Sequence, residues 1–501
     1  MSTIRRQSII SSFIVYFGFA LGFFNTYLFA RGFTEAQYGL VGAFIAIANV
    51  MYSVANLGSP FYITKFYPYY KDNLPDEQND QFAWALLSSL VGFLLVVAGG
   101  IICKGWIVAW YGNNSPELIT YYNWLFPFGF GLTLFSLLEA FAWQLNKSVF
   151  SGFLREVQFR LFSTLLIVLT FANIIRDFDL FIKLYSLTYI AIALILFAYL
   201  LAKKKVHLHF SVSRVTKKFF KKIVTLMGFL WGGGLVFNIA QVFDTLVIAA
   251  ILPSALVQAG IYTLAQNVAS LVQAPQRAVA AAAVGPLSRA WKDKDLPRIH
   301  SIYRRSSINQ LIFAVGVFTL IWINFTDGVL TFKLKEGYLD AKPVFLYIGL
   351  MRLIDLGTGL NAQIISTSVY WRFEFVTGLI LLTLTLPMNY LLTQSNGIIG
   401  TAVSNLVAMG VYNLIRYIFL LKKFNMQPFT RQSLYTLLLG AAGYFVCDML
   451  FDQYTGLLWL FVRSIVFLVI FGGGVILLNL SPDVKPVLQT VGKRLGFFKG
   501  E

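Results

Sequence analysis

The sequence predicts an all-α integral membrane protein of about 14 transmembrane helices, and three observations carry that prediction. The 501-residue chain is 57% hydrophobic and only 12% charged, with a mean hydropathy of +0.70, whereas a soluble domain carries about 25% charged residues. Long runs lack Asp, Glu, Lys and Arg altogether, among them residues 7–30 and 36–64, and each exceeds the roughly 20 apolar residues that take a helix across a bilayer. Neither run alternates as a barrel strand would, so the backbone hydrogen bonds that hydrocarbon cannot supply are made within helices.

Taken in order, the predicted spans are 9–30, 38–63, 82–104, 119–145, 158–175, 181–202, 224–250, 259–284, 306–325, 342–366, 373–393, 398–421, 432–451 and 456–479. The first follows "MSTIRR" directly, with no small-residue cleavage site behind a short core, so it reads as a retained helix rather than a signal peptide. The first two are joined by the polar hairpin "RGFTEAQYG", residues 31–39. Span five is the least apolar, since only 161–175 is free of charge. Spans eleven and twelve share one uncharged run, 375–415, divided by the turn signal "QSNG" at 394–397.

Orientation follows from basic residues. Of the 40 Lys and Arg, four lie deep in spans (Lys183, Arg352, Arg416, Arg463) and six fall in alternate segments (Arg31, Lys104, Arg176, Lys333, Lys335, Lys342). The other 30 collect on the side of the N-terminus, so both termini are expected in the cytoplasm. The same distribution explains the net charge of +18. Basic residues scattered over cytoplasmic loops answer to orientation and anionic lipid, and no nucleic-acid partner is expected. Cys103 and Cys447 are too few for a disulfide framework.

Sliding the chain on itself by 224 residues places Tyr38 on Tyr262 and Lys65 on Arg289, and the hairpin "LPSALVQAGIY" then answers the first one. Spans one to six and seven to twelve thus read as parallel copies of a six-helix unit. The expected organisation is an N-lobe at 1–202, a basic cytoplasmic linker at 203–223, a C-lobe at 224–421, two extra helices at 432–479 and a cytoplasmic tail at 480–501. Two parallel lobes around a central cavity make a transporter architecture.

Three segments resemble a known family: "ARGFTEAQYGLVGAF", "LGSPFYITKFYP" and "NIAQVFDTLVIAAILPSALVQAGIYTLA". They are similar to the polysaccharide flippases of the multidrug/oligosaccharidyl-lipid/polysaccharide superfamily, which includes the O-antigen and lipid II flippases. The resemblance implies a bacterial inner-membrane protein that moves an undecaprenyl-pyrophosphate-linked oligosaccharide between leaflets by alternating access. It implies a monomer whose partners are that lipid-linked substrate, membrane lipids and polysaccharide assembly proteins. No cofactor, metal or catalytic residue is expected.

Such a cargo needs a hydrated, cationic path, and charge inside a bilayer marks a pathway or an ion pair. Arg352 and Asp355 lie three apart on one face of span ten, with Asn361 and Gln363 beyond. Arg352 either grips phosphate through its bidentate fork or pairs with Asp355. Asn238, Gln241 and Asp244 form a polar stripe at spacings of three in span seven, facing a cavity or a buried hydrogen bond; the family resemblance favours an acid at the position of Asp244. Glu139, the only acid of span four, either holds a coupling cation or neutralises an arginine from the other lobe. Gln273 and Gln276 share a face of span eight, where Arg277 either joins the site or snorkels to the interface. Arg416 and Arg463 could each meet lipid phosphate.

Two rival functions leave different marks. A membrane transferase or polymerase needs an acidic cluster or a large external loop, yet the three histidines, His207, His209 and His300, lie in predicted cytoplasmic loops that lack them. A cation-coupled multidrug exporter of the same superfamily is the nearer alternative. Many of those resemble one another in an acidic first helix, and span one here has no acid. The charge asymmetry makes a direct prediction. Reporter fusions after Lys222 and Arg431 should signal cytoplasm, and fusions after Asn114 and Leu334 the opposite side; an external signal after Lys222 would overturn the span count.

Overall fold

A computed structural model describes residues 3–484, with the side chains at 3–9, 11, 12, 277, 278, 281 and 371 outside that description; most of the expected tail, 485–501, also lies outside it. Every regular element among the described residues is helical. Contacts divide the chain into two compact units, Met1–Thr263 and Leu264–Glu501. The first holds α1 (Thr3–Gly32), α2 (Glu35–Ala55), α3 (Ser59–Asn73), α4 (Gln81–Ile102), α5 (Lys104–Tyr111), α6 (Pro116–Thr120), α7 (Tyr122–Gln144), α8 (Ser148–Phe153), α9 (Phe159–Phe171), α10 (Phe178–Ser186), α11 (Thr188–Ala202), α12 (Arg214–Ile251) and the start of α13 (Ala255–Ser270). The second holds the end of α13, then α14 (Gln276–Lys292), α15 (Leu296–Thr331), α16 (Ala341–Gly357), α17 (Asn361–Ser366), α18 (Trp371–Phe424), α19 (Arg431–Phe451) and α20 (Leu457–Leu477).

Among the described residues, 11 stretches are long and apolar enough to cross a membrane. One of them, in α18, is two helices that meet at Gly397, whose φ of 61° and ψ of −146° break the rod where the sequence places its turn. Two more helices lie outside the 11. They are the continuous run 148–171, made of α8, the π-helical Leu154–Gln158 and α9, and the 17-residue α16. Counted this way the 11 become the fourteen crossings expected, and the chain is a multi-pass membrane protein. Many large apolar side chains stand exposed, Leu94 at 66% and Val469 at 67% among them, as lipid contact requires.

Local chemistry explains where the elements begin and break. In the first hairpin the Thr34 side chain accepts from Gln37 N at 3.1 Å, and Gln37 Oε1 accepts from Thr34 N at 2.9 Å. This capping box satisfies two orphan amides and starts α2. Predicted span two is not one helix: Leu57 (φ 43°) and Gly58 (φ 79°) turn the chain between α2 and α3. A side chain at residue 58 would meet Met227 O at 2.5 Å, so glycine is needed for the close approach as well as the turn. Span eight divides at the 3-10 turn Leu271–Gln273 and Pro275, which removes an amide donor from the helix. Span ten divides at Gly359 (φ 65°).

The basic linker is also partly helical, because α12 begins at Arg214 and runs for 38 residues. Four lysines near a helix start oppose its dipole. Here the buried Asp80 offsets them, accepting from Ser213 N at 2.9 Å and Thr216 Oγ1 at 2.7 Å. Ser213 adds its own cap on Thr216 N.

Lipid is as apolar as leucine, so helix association here rests on close packing and interhelical hydrogen bonds rather than on exclusion of water. In the first unit α2 packs against α4, α7 and α12. Its Gly39 lies so close to α13 that a Cβ would stand 1.8 Å from Leu256 O, and one on Gly260 would stand 2.1 Å from Glu35 O. The two hairpins that the 224-residue shift superposes in sequence therefore touch backbone to backbone.

In the second unit α15 carries α19 and α20 through Leu311, Val315, Cys447, Phe467 and Phe471. Arg463, 7% exposed, donates to the carbonyls of Ile323, Phe451 and Tyr454 at 3.0, 3.1 and 2.8 Å, and Asp327 lies 3.8 Å away. It knits the extra helices to α15 instead of reaching for lipid phosphate. Beyond α20, the Arg305 guanidinium holds the Asp483 carboxyl below the usual range, with help from Asn309 at 2.7 Å.

Gly39→Ala should therefore overpack the α2–α13 contact at a cost of about 1–3 kcal/mol, lowering the melting temperature of the purified protein. Gly99→Ala, where a Cβ meets nothing within 4 Å, should leave it unchanged. Equal melting temperatures for the two variants would contradict the contact.

Candidate functional site

A network of polar side chains inside the spans lies in the second unit, beside two breaks in the helices. The break between α13 and α14 presents Gln276, and the end of α16 presents Asp355 and Thr358. Gln276 Nε2 donates to Asp355 Oδ2 at 2.6 Å, and Asn413 Nδ2 of α18 donates to Asp355 Oδ1 at 3.3 Å. Asn413 Oδ1 in turn accepts from Thr358 Oγ1 and Asn361 Nδ2, each at 2.9 Å. Asn413, Asn361 and Thr358 are buried, while Asp355, Gln276 and Arg352 are only half-buried.

The cluster thus has two layers. Buried amides and a hydroxyl fix the orientation of the carboxylate, as supporting hydrogen bonds do at built sites, and Asp355, Gln276 and Arg352 form a less enclosed layer beside them. Arg352 stands one turn before Asp355 on α16, and Gln273 Oε1 is buried with no hydrogen-bond partner among the described residues. The side chain of Arg277 lies outside the described residues. Arg416, 3% exposed, is bound to Glu374 and Tyr412, with its guanidinium 3.6 Å from the Tyr412 ring centre. It faces protein and not lipid phosphate.

In the first unit the polar stripe of α12 is divided between environments. Gln241 is exposed and Asn238 half-buried, whereas Asp244 is 6% exposed and accepts from Tyr262 Oη at 2.8 Å. Glu139 of α7 pairs with Arg155 at 2.8 Å. That arginine belongs to the same unit as Glu139, not to the other half of the chain.

Of the residues singled out from sequence, Asp355, Gln276 and Asn361 come together in one cluster, with Arg352 on the same helix as Asp355. Asp244, Gln241, Asn238 and Glu139 belong to the first unit. Sequence reasoning missed Asn413, Thr358 and Arg155. Asn413 could have been found as one of the few amide side chains in the uncharged run 375–415; Arg155 was hidden by placing the start of span five after it.

The family model described as "Polysaccharide biosynthesis protein" matches residues 4–289, more than half of the chain. The fold is similar to that of the lipid II flippase MurJ in an inward closed conformation, with a TM-score of 0.72, 15% identity, and coverage of 93% of this chain and 98% of that one. It is also similar to a multidrug resistance MATE family transporter of the MOP superfamily. The inward-facing form gives a TM-score of 0.62 at 11% identity over 80% of this chain and 93% of that one; the outward-facing form gives 0.55 at 14% over 82% and 94%. No curated protein sequence matches. The structural likenesses establish a shared fold, and the family match establishes kinship: the chain belongs to the polysaccharide biosynthesis protein family.

Proposed function

We propose that this protein is a flippase that carries an undecaprenyl-pyrophosphate-linked oligosaccharide from the inner to the outer leaflet of a bacterial inner membrane. In this reading it works by alternating access, with both termini cytoplasmic, and makes or breaks no covalent bond. The observation that carries the reading is the cluster around Asp355. Amide, hydroxyl and carboxylate groups from α14, α16, α17 and α18 meet inside membrane spans, where they are expensive unless they serve a pathway. Sugar hydroxyls and a pyrophosphate match donors and acceptors of this kind. Kinship with a polysaccharide family and a fold shared with a protein named as a lipid II flippase support the same cargo class.

In this proposal the cargo stays part lipid and part water-soluble throughout. The oligosaccharide and pyrophosphate occupy the polar path, and the polyprenyl tail remains among the acyl chains. Asp355, held as an acceptor by Gln276 and Asn413, addresses sugar hydroxyls; Arg352, on the same helix, addresses the pyrophosphate or an acidic sugar. Gln241 and Asn238 extend the polar lining in the first unit. A multidrug exporter remains the second reading, because the fold is also that of the MATE transporters.

Arg352 separates a path residue from a structural one. A merely structural buried pair with Asp355 would lose about 3–5 kcal/mol when one partner is removed, and protein levels would fall; exchanging the two residues would restore them. We expect instead that Arg352→Gln keeps near-normal expression but abolishes surface polysaccharide, that Arg352→Lys retains part of it, and that the exchange does not rescue. Full polysaccharide export by Arg352→Gln removes the residue from the path. Unchanged polysaccharide together with raised drug sensitivity on deletion of the whole gene would favour the exporter.

A further inference from the structure

Span five is the least apolar in sequence, and the structure extends its helix back past the predicted start to include Arg155 and Glu156 as well as Arg160. Leu154–Gln158 is π-helical between α8 and α9, an irregularity that recurs at functional sites. The two arginines have opposite surroundings. Arg160 donates to Glu156 O at 2.5 Å and to Glu156 Oε2 at 2.7 Å, and it fills a notch in α1 where a Cβ on Gly18 or Gly22 would stand 3.0 or 2.9 Å from the guanidinium. Its carbonyl accepts from Asn25 and from Thr164, each at 2.8 Å. Arg160 is a tie between α1 and α9.

Arg155 is not used up in this way. Its single ion pair among the described residues is with Glu139 at 2.8 Å, and its side chain remains 42% exposed although that of Glu139 is only 5% exposed. A guanidinium has five N–H donors in a rigid fork, and one buried carboxylate engages a minority of them. The Phe135 ring lies 5.9 Å from the guanidinium, and one turn before Glu139 the buried Ser136 hydroxyl faces the Tyr52 hydroxyl. Tyr52 and Tyr189 both lie within electrostatic reach of Arg155 and Glu139. A cation with spare donors, held by a buried carboxylate against an aromatic wall, forms a receptor for an anion.

We infer that Arg155 binds the pyrophosphate of the lipid-linked cargo, with Glu139 as the positioning residue that holds the guanidinium in place before the cargo arrives. This rests on the flippase reading and adds a contact in the first unit, near the end of α7 that the proposed orientation puts toward the cytoplasm, where the cargo is loaded. Phosphate oxygens fit the fork bidentately and add a charge-assisted bond that a neutral sugar cannot.

The test is binding of farnesyl pyrophosphate to the full chain in phosphatidylcholine nanodiscs, measured calorimetrically, with farnesol and inorganic pyrophosphate as comparison ligands. Arg155→Gln should weaken farnesyl pyrophosphate binding about tenfold or more, Arg155→Lys should recover part of that, and farnesol binding should not respond. Because Arg155→Gln leaves Glu139 buried without its cation, the double variant Glu139→Gln with Arg155→Gln provides a neutral pair of similar size, and it should show the same loss. Glu139→Gln alone should weaken binding, but by less than Arg155→Gln does, since it loosens the guanidinium without removing its charge.

Inorganic pyrophosphate should follow the same ranking at weaker affinity. Wild-type affinity in the double variant would overturn the inference while leaving the flippase reading intact. A wild-type chain that fails to bind farnesyl pyrophosphate would overturn both. An Arg155 effect that appears only when the disc contains phosphatidylglycerol would assign the residue to a lipid headgroup and overturn the inference.

Discussion

Hydrocarbon offers no hydrogen bonds, and the rest of this structure depends on that constraint. It forces the spans into helices and permits irregular backbone only where protein covers it. The breaks follow this rule. Leu57 and Gly58 turn against the backbone of α12, the α13–α14 break lies beside Asp355, and the π-segment at 154–158 carries Arg155 toward Glu139. Each of these three departures from the regular helix is matched by a polar partner or a close backbone contact.

The same constraint sorts the charges. Arg160, Arg416 and Arg463 are absorbed by carboxylates, carbonyls and a tyrosine, and they hold helices together. Asp80 is buried to start a helix. Asp355 sits at the boundary between a buried amide layer and a half-buried rim, and Arg155 keeps most of its donors available. This contrast gives the functional proposal its physical content. Charges such as Arg416, Arg463 and Asp80 are buried against protein partners, whereas groups that meet cargo have to stay accessible to it, as the side chain of Arg155 does.

Much of the fold was legible in the sequence because charge-free runs longer than a bilayer have few alternative readings. The polar hairpin 31–39 announces the turn between α1 and α2, and "QSNG" announces the break at Gly397. Less legible were the interruptions inside apolar runs. Nothing in "SVANLGSPFY" distinguishes a continuous span from two helices until Gly58 is seen against Met227. The basic stretch 214–223 reads as loop because the acid that stabilises its helical form, Asp80, lies far away in sequence. The family was legible from three short segments. The candidate site was legible only in part: Asp355 and Asn361 stand out as polar residues in apolar surroundings, but Asn413 gains its meaning from contacts across helices. Charge along a sequence also does not reveal exposure, so Arg155 and Arg160, five residues apart, look alike until their neighbours are known.

The central claim is that the polar groups within these spans serve a lipid-linked saccharide. The most direct measurement places the purified chain in sealed vesicles that contain an undecaprenyl-pyrophosphate-linked oligosaccharide and follows its exposure to a membrane-impermeant glycosidase. The account predicts that oligosaccharide initially confined to the inner leaflet becomes accessible at a rate that scales with the amount of protein. Inner-leaflet oligosaccharide that stays protected, in vesicles where the same protein expels a cationic drug, would contradict it.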